Sequence, residues 1–188
     1  KLNSILDFDE TMGYVTLEPG VSFGQLRNFL QQQKSQWLID APGSTLEASV
    51  IGNTLEKGFA QSQVGERHQH IASMEVLLPN GELLHTAMDA FPNANAAKLH
   101  RSGIGPDLTG LFLQSNLGVV TKMTLHLAAR PKYRMQLFFH FREMLLPDIT
   151  NCLRKLHQKE LLTVTASLYN RQRLLSIASD DQSEMTQN

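Results

Sequence analysis

SMEVLLPNGELLHT, the stretch Ser73–Thr86, carries the clearest local signal in this 188-residue chain. Two strand-like segments, SMEVLL and ELLHT, flank the tripeptide Pro79-Asn80-Gly81. Proline, asparagine and glycine between two β-rich runs are typical of a tight turn that joins neighbouring strands. The stretch therefore predicts a β-hairpin.

The segments before this hairpin predict a strand followed by a helix. Met12–Glu18 is rich in β-forming residues, and the dipeptide Pro19-Gly20 ends the strand. Ser22 and Gln25 have the spacing of a capping box. The apolar residues after Ser22 recur at helical intervals, so we expect an amphipathic helix over residues 23–33.

The segment after the hairpin predicts a short helix and a long strand. Asp107 can cap the helix, and Asn116 and Gly118 can end it. VVTKMTLHL, which is Val119–Leu127, then alternates as a half-buried strand does. One predicted face holds Val119, Thr121, Met123, Leu125 and Leu127.

Beyond residue 133 the order of predicted elements is β-α-β. Met135–Phe141 and Leu162–Leu168 have the composition of strands. Pro147 occupies the favoured first position of the helix between them. Cys152 lies in the apolar pattern of that helix, so we expect it to be a small buried side chain.

Composition narrows the class of protein. The chain is 41% hydrophobic, with 17 basic and 18 acidic residues and a formal net charge of -1. Because no basic run stands out, neither nucleic acid nor an anionic membrane is an expected partner. Cys152 is the only cysteine, so the chain cannot form an internal disulfide. No signal peptide is visible, and we expect a cytoplasmic location.

The stretch Pro42–Asn53 is dominated by small side chains. Such a stretch lets backbone amides approach a flat or phosphorylated ligand, but it is equally typical of a plain connecting loop. Neither the G-x-G-x-x-G nor the G-x-x-x-x-G-K-[ST] phosphate fingerprint occurs. The residues alone leave both interpretations open.

Other candidate chemistries receive little support. His68 and His70 lie near Glu66, but a third ligand is missing, so we predict no metal site and expect solvated loop histidines. A G-x-S-x-G nucleophile elbow is absent, which disfavours a hydrolase. Glu66 and its neighbour Arg67 are expected to be an ordinary surface charge pair.

Four ordered blocks resemble the p-cresol methylhydroxylase type FAD-binding domain of the vanillyl-alcohol oxidase flavoprotein family. They are LEPGVSFGQLRNFL (Leu17–Leu30), GNTLEKGFAQSQVGERH (Gly52–His68), MEVLLPNGELL (Met74–Leu84) and GIGPDLTGLFLQSNLGVVTKMTLHL (Gly103–Leu127). The second resembles the family's GN-x-x-E-[RK]-G loop, and the fourth its GLF-x-QSN-x-G-[IV]-VTK block. These blocks cover most of residues 12–130.

The resemblance implies an α+β fold, in which an antiparallel sheet and its packing helices form the second of two FAD-binding subdomains. Residues 1–130 would be this second half of the FAD-binding domain. Residues 131–188 would be the β-α-β start of a substrate-binding cap domain and a polar tail. The chain contains no segment like the Gly-rich pyrophosphate loop of the first subdomain.

The resemblance also implies a set of FAD-binding residues. Pro19 and Gly20 would lie near the adenine. The small-residue stretch would run along the pyrophosphate and flavin, and the start of the last strand would close on the cofactor. The residues concerned are Pro19, Gly20, Pro42, Gly43, Ser44, Ser49, Gly52, Asn53, Gly118, Val119 and Val120.

Several positions depart from the family pattern. The tyrosine usual after the E-[RK]-G loop is replaced in FAQSQVG, and an expected Asp-His pair reads Glu66-Arg67. The acidic residue often found just before the small-residue loop is not clearly kept, although Glu47 is a candidate substitute. The catalytic tyrosine and arginine residues of phenol-oxidising members have no match, so no catalytic residue is predicted.

The expected activity is oxidation of a small organic substrate, alcohol or phenol-like, by hydride transfer to FAD, with oxygen, a cytochrome or another carrier as acceptor. Because the sequence begins at Lys1 and lacks half of the predicted site, we expect an incomplete, inactive part of that enzyme. The alternatives are a split flavin-binding module without activity alone, a 2-hydroxy-acid dehydrogenase of the same fold, or a plain α+β interaction domain. A homodimer, or a complementary chain that carries the missing subdomain, is the expected assembly.

Overall fold

The computed structural model describes residues 1–40, 45–60, 65–94, 96–133, 135, 137–162, 164 and 166–176. Its strands and α-helices, in chain order, are β1 (Ile5–Asp9), β2 (Tyr14–Leu17), α1 (Phe23–Gln32), β3 (Trp37–Leu38), α2 (Val50–Leu55), β4 (Ile71–Leu77), β5 (Leu83–His85), β6 (Val119–His126), β7 (Ala128–Ala129) and α3 (Leu146–Gln158). Short 3-10 helices span Arg67–His70, Ala87–Ala90, Leu108–Phe112 and Glu143–Leu145. Residues 171–176 are also helical.

A five-stranded sheet in the order β1-β2-β6-β4-β5 forms the centre of the fold. Every neighbouring pair in this sheet is antiparallel. The hairpin predicted over Ser73–Thr86 is β4 and β5, and the long alternating segment is β6. Strands β3 and β7 form a separate antiparallel pair. The sheet and the helices that pack on it confirm the predicted α+β class.

The helix ends follow from short polar side chains. Ser22 caps α1, because its Oγ accepts a hydrogen bond of 3.2 Å from the Gln25 amide. Gln25 Nε2 donates to the Asn3 carbonyl at 3.0 Å, so this glutamine ties α1 to the start of the chain. Ser49 caps α2 in the same way, with 2.9 Å between its Oγ and the Gly52 amide. Helix α2 therefore begins within the small-residue stretch.

The hydrophobic core lies between α1, α2 and one face of the five-stranded sheet. Its fully buried members come from all of these elements, and they include Val15, Leu17, Phe23, Leu26, Val50, Ile51, Met74, Val76, Met123 and Leu125. The sheet thus buries one face, as expected for antiparallel strands with alternating side chains. No helix in the described part of the chain is long and apolar enough to cross a membrane.

The predicted buried face of β6 is wrong at its first residue. Val119 is 64% exposed, whereas its neighbour Val120 is 6% exposed and belongs to the core. The cause is a bulge: Glu75 pairs with Lys122 and Val76 with Val120, which leaves Thr121 as an extra residue on β6. Because a bulge adds one residue to a period of two, the side chains before it change faces.

The region after residue 133 differs from the prediction in its strands. Helix α3 is present with its proline in the first turn. The described residues of the predicted strands Met135–Phe141 and Leu162–Leu168 are not in a strand. Cys152 is exposed rather than buried. A strand requires a hydrogen-bonded neighbour, and a buried cysteine requires a packed partner; local composition supplies neither.

Candidate functional site

Antiparallel pairing gathers several predicted cofactor-binding residues at one end of the sheet. Strand β2 leaves the sheet after Leu17, which pairs with Met123 of β6. Strand β6 runs in the opposite direction and enters the sheet at Val119, which pairs with Leu77. Pro19-Gly20, after β2, and Gly118–Val120, at the start of β6, therefore lie at the same end of the sheet.

The N-terminus of α2 is attached to this end of the sheet through Ser49. The Ser49 hydroxyl donates to the Pro19 carbonyl at 2.6 Å and accepts from the Gly52 amide at 2.9 Å. The Val50 amide donates to the Val21 carbonyl at 3.0 Å. Because its proton is committed to Pro19, Ser49 holds two predicted binding segments together.

Glycine at two of the predicted positions has a packing reason. A Cβ on Gly118 would lie 2.6 Å from Val76 Cγ1 and 3.0 Å from the Leu77 carbonyl oxygen. A Cβ on Gly20 would lie 2.5 Å from the Leu2 carbonyl oxygen. Gly52 differs, because it is exposed and only atoms of Ser49 lie within 4 Å of a Cβ built there. Among these three glycines, only Gly52 leaves open space for a ligand, although its amide is bonded to Ser49 and its carbonyl accepts from Glu56.

The side chain of Asn53, the second residue of the GN dipeptide, is hydrogen-bonded to Arg67, which the sequence predicts to lie on the surface. Arg67 Nη1 donates to Asn53 Oδ1. Arg67 Nε and Nη2 both donate to the Asp40 carbonyl, at 3.1 and 2.6 Å. The Arg67 side chain is 1% exposed, so the predicted surface charge pair with Glu66 is wrong. Burial lowers the pKa of Arg67, and the charge of Asp40 acts in the opposite direction.

Asp40 is a second residue that the sequence analysis did not single out. It is 7% exposed, and its Oδ2 is buried and has no hydrogen-bond partner among the described residues. Buried polar atoms are normally paired, and Asp40 directly precedes the small-residue stretch. A carboxylate beside a small-residue loop was a usable signal, although nothing local shows that it is buried.

Three features fit a cofactor with a flat apolar ring and many hydrogen-bond donors, as FAD has. Asp40 Oδ2 is an acceptor in need of a donor. Gly52 is exposed and has no side chain, so a flat ligand can approach α2 closely there. Val119 presents an exposed apolar side chain beside Gly118, which suits a ring face. The predicted residues Pro42, Gly43 and Ser44 lie outside the described residues.

Neither the histidine pair His68 and His70 nor a cleft on the polar face of the sheet coincides with this end. The His68 side chain is 16% exposed rather than solvated, and its Nδ1 is buried with no partner in the part of the chain that the structure describes. Within the described residues, no three histidine, cysteine, aspartate or glutamate side chains could hold a metal ion. A cleft of about 420 Å³ lies on the polar face of the sheet and contains none of the predicted residues.

The charges of that cleft are paired with one another. Lys98 Nζ lies 2.5 Å from Asp7 Oδ2, and Lys122 Nζ lies 2.6 Å from Glu75 Oε2. The hydrogen bond from Lys98 lowers the pKa of Asp7, and the same contact raises the pKa of Lys98. Burial alone would raise the pKa of Glu75, but hydrogen bonds from Lys122 and Thr121 outweigh it and lower that pKa. We therefore favour the sheet end over the cleft as the ligand site.

Comparisons with known proteins identify the family. Residues 1–87 match the model of the FAD binding domain family. The chain is 43% identical over 178 residues to 1'-carboxy-chondrochloren decarboxylase of Chondromyces crocatus, a match that covers 94% of this chain and 33% of the relative. It is 34% identical to the 4-cresol dehydrogenase [hydroxylating] flavoprotein subunit of Pseudomonas putida, over 70% of this chain and 25% of the relative.

Comparison of the fold with solved structures identifies the same family. The crystal structure of p-cresol methylhydroxylase with substrate bound is similar with a TM-score of 0.80 at 30% identity, covering 87% of this chain and 32% of that chain. The chain thus spans about a third or less of the length of these relatives. The recognition of the family and of FAD as its cofactor is confirmed, while the individual binding residues and the domain boundary stay predictions. The chain belongs to the FAD-binding flavoproteins of the vanillyl-alcohol oxidase and p-cresol methylhydroxylase type.

Proposed function

We propose that this chain is the FAD-binding portion of a flavin-dependent oxidoreductase that oxidises a small organic substrate, alcohol or phenol-like. The observation that carries the proposal is the position of three segments at the same end of the sheet: Pro19-Gly20, the N-terminus of α2 bonded to it, and Gly118–Val120. When bound, FAD supplies the acceptor of the hydride that leaves the substrate. The chain itself contributes binding and orientation.

The proposed contacts divide by chemistry. Pro19 and Gly20 would border the adenine side, with their backbone held by Ser49 and Leu2. The predicted loop residues Gly43 and Ser44 would offer backbone amides to polar atoms of the cofactor. Pro42 and Gly52 would only border it, because proline has no N–H and the Gly52 amide is bonded to Ser49. Val119 would cover a ring face and exclude water from it. We name no catalytic base in this chain.

A second candidate reaction is flavin-dependent removal of a carboxyl group from the substrate. The observation that favours it is the 43% identity to a decarboxylase over 94% of this chain. In both reactions the chain would bind the same cofactor through the same segments. The two candidates differ in the substrate, whose binding residues we do not assign to this chain.

The test uses the protein expressed from its complete coding sequence. We expect it to carry flavin, and anaerobic mixing with a 4-alkylphenol or a 4-hydroxybenzyl alcohol to bleach the visible flavin absorbance. Release of carbon dioxide from a carboxylated phenolic substrate would instead select the second candidate. Bleaching by D-lactate alone would select the 2-hydroxy-acid alternative. A protein that neither carries nor binds flavin would contradict the proposed function.

The 188-residue chain provides a separate test of the half-site. We propose that the other wall of the FAD site comes from a subdomain outside these residues, because the chain spans about a third of its relatives. Titration of FAD into the purified chain, followed by flavin fluorescence, should show weak binding only. Tight stoichiometric binding would show that the residues present here form the whole site.

A further inference from the structure

Arg67 joins residues of three separate parts of the fold, among them Asn53 of the predicted FAD-binding GN dipeptide. Its guanidinium donates two hydrogen bonds to the Asp40 carbonyl, which follows β3, and one to Asn53 Oδ1 in α2. Its Cζ lies 5.0 Å from the ring centroid of Phe23, the first residue of α1. Each of these contacts is with a residue far away in sequence. One side chain thus connects the ends of three elements.

Burying the Arg67 guanidinium costs free energy unless its charge and its hydrogen-bond donors find partners. Removing a guanidinium from water disfavours its charged form, so burial lowers the pKa of Arg67. The cost is offset by carbonyl acceptors, by the aromatic ring of Phe23 and by the charge of Asp40. An arginine suits this role because its planar fork of donors fixes the directions of several acceptors at once.

The GN-x-x-E-[RK]-G block, which is Gly52–Gly58, provides Asn53, the side chain that accepts a hydrogen bond from Arg67. Gly58 leaves room for the Asn53 amide, since a Cβ on Gly58 would lie 2.0 Å from Asn53 Oδ1. The Gly58 amide also donates to the Asn53 carbonyl at 2.8 Å. The asparagine and the last glycine of the block therefore hold one amide in place, and that amide accepts from Arg67.

We infer that Arg67 is a positioning residue for the cofactor: it fixes Asp40, where the chain enters residues 41–44, relative to Asn53 of α2. Asp40 and the Gly52-Asn53 dipeptide, which is predicted to contact FAD, are then held at a set separation before the cofactor binds, which lowers the ordering cost of binding. This inference rests on the proposed FAD-binding function. Arg67 acts through Asp40 and Asn53 and is assigned no contact with FAD.

The test measures FAD affinity at matched stability. Arg67→Met removes the charge and all three hydrogen bonds, Arg67→Lys keeps the charge but loses the fork, and Asn53→Ala removes one acceptor. Ile51→Ala is the control for lost stability. Ile51 is 1% exposed in α2, and the contacts of Arg67 are with Asp40, Asn53 and Phe23 instead. Free energies of unfolding from urea titration rank the variants by stability, and FAD dissociation constants are measured on the protein expressed from its complete coding sequence.

We expect Arg67→Met to raise the FAD dissociation constant about 10- to 100-fold, the equivalent of leaving a buried hydrogen-bonding group unpaired. Arg67→Lys should restore part of that loss, and Ile51→Ala should leave the dissociation constant within about threefold of wild type despite its lower stability. Arg67→Met and Asn53→Ala combined should lose less than the sum of their separate effects.

The outcomes separate the two ideas. A wild-type protein that binds no FAD would overturn the proposed function itself. Wild-type affinity in Arg67→Lys and Asn53→Ala, or an equal loss in Ile51→Ala, would overturn the positioning role while the proposed function stands. Should Arg67→Met fail to fold, Arg67→Lys and Asn53→Ala still decide the question, because each keeps most of the buried volume.

Discussion

Residues 1–129 bury many apolar side chains in a core, whereas no described residue of 133–176 is fully buried. In the first region Val15, Leu17 and Leu125 are 0% exposed. In the second, Tyr133 is 92% and Phe138 79% exposed. No described residue of the second region belongs to the hydrophobic core. Similar apolar content therefore gives a packed core only where the chain itself provides the opposing surface.

Helices α1 and α3 have similar amphipathic sequences but differ in burial. Helix α1 has a serine cap and buries Phe23, Leu26 and Leu30 against the sheet. Helix α3 has a proline in its first turn and an apolar stripe at the same spacing, yet it has no fully buried residue. Both patterns predict a helix correctly. The comparison shows that an amphipathic pattern sets the helix, while its burial depends on elements elsewhere.

The largest expected effect is at the centre of the first region. Leu125→Ala should lower the free energy of unfolding by about 2–5 kcal/mol, because the removed methyl groups leave a cavity in a packed core. The matched substitution in the second region is Leu137→Ala, at a side chain that is 61% exposed. It should change the free energy by less than about 0.5 kcal/mol. Equal losses in urea titrations of the two variants would contradict the comparison.

Gly118→Ala sharpens the comparison at the candidate site. The added Cβ would meet Val76 and the Leu77 carbonyl, so we expect a loss of about 1–3 kcal/mol in stability without any ligand present. Gly110→Ala is the control, since nothing lies within 4 Å of a Cβ there. Lower FAD affinity with unchanged stability in Gly118→Ala would instead show that this glycine is needed mainly for the cofactor.

A smaller effect is expected from Glu75 in acid. Its pKa in the folded chain is below the ordinary value of 4.5. Burial raises this pKa, but hydrogen bonds from Lys122 and Thr121 lower it by more. A lowered pKa stabilises the fold above 4.5, and this stabilisation is lost as the pH falls through the folded-state pKa. Glu75→Gln should therefore lower stability at neutral pH, by on the order of 1 kcal/mol. A difference from wild type that stays constant down to strongly acidic pH would exclude this carboxylate as the cause.

Removal of residues 133–188 should have the smallest effect of all. The described residues of this region contribute nothing to the core, so the free energy of unfolding of residues 1–132 should equal that of the full chain within about 0.5 kcal/mol. The measurement is urea unfolding followed by the fluorescence of Trp37. A loss of several kcal/mol would break the comparison and show that the second region stabilises the first.

Local patterns predicted much of the fold. The hairpin at Ser73–Thr86, helix α1 with its Ser22 cap, and strand β6 all follow from spacings of two to four residues. The side-chain face of Val119 could not be predicted, because the bulge opposite Glu75 depends on a strand more than forty residues away. The burial of Arg67 was also missed, since Glu66-Arg67 has the composition of a solvated surface.

The candidate site was predictable in its segments but not in its assembly. Resemblance placed FAD contacts at Pro19-Gly20, at the Gly52-Asn53 dipeptide and at Gly118–Val120, and the FAD family itself is confirmed. The individual contacts and the cytoplasmic location stay predictions. The role of Ser49 as the link between Pro19 and α2 required the tertiary structure, because its partner carbonyl lies thirty residues earlier.

By itself the sequence determined the flavoprotein family, the FAD cofactor and the main local elements, because motif order and hydrophobic period are properties of short segments. Only the tertiary structure decided which end of the sheet collects those segments and which charged side chain is buried in contact with Asn53. The physical reason is that strand pairing and burial are set by residues far apart in the chain. Arg67 shows this most clearly: its partners Phe23, Asp40 and Asn53 lie on three other elements.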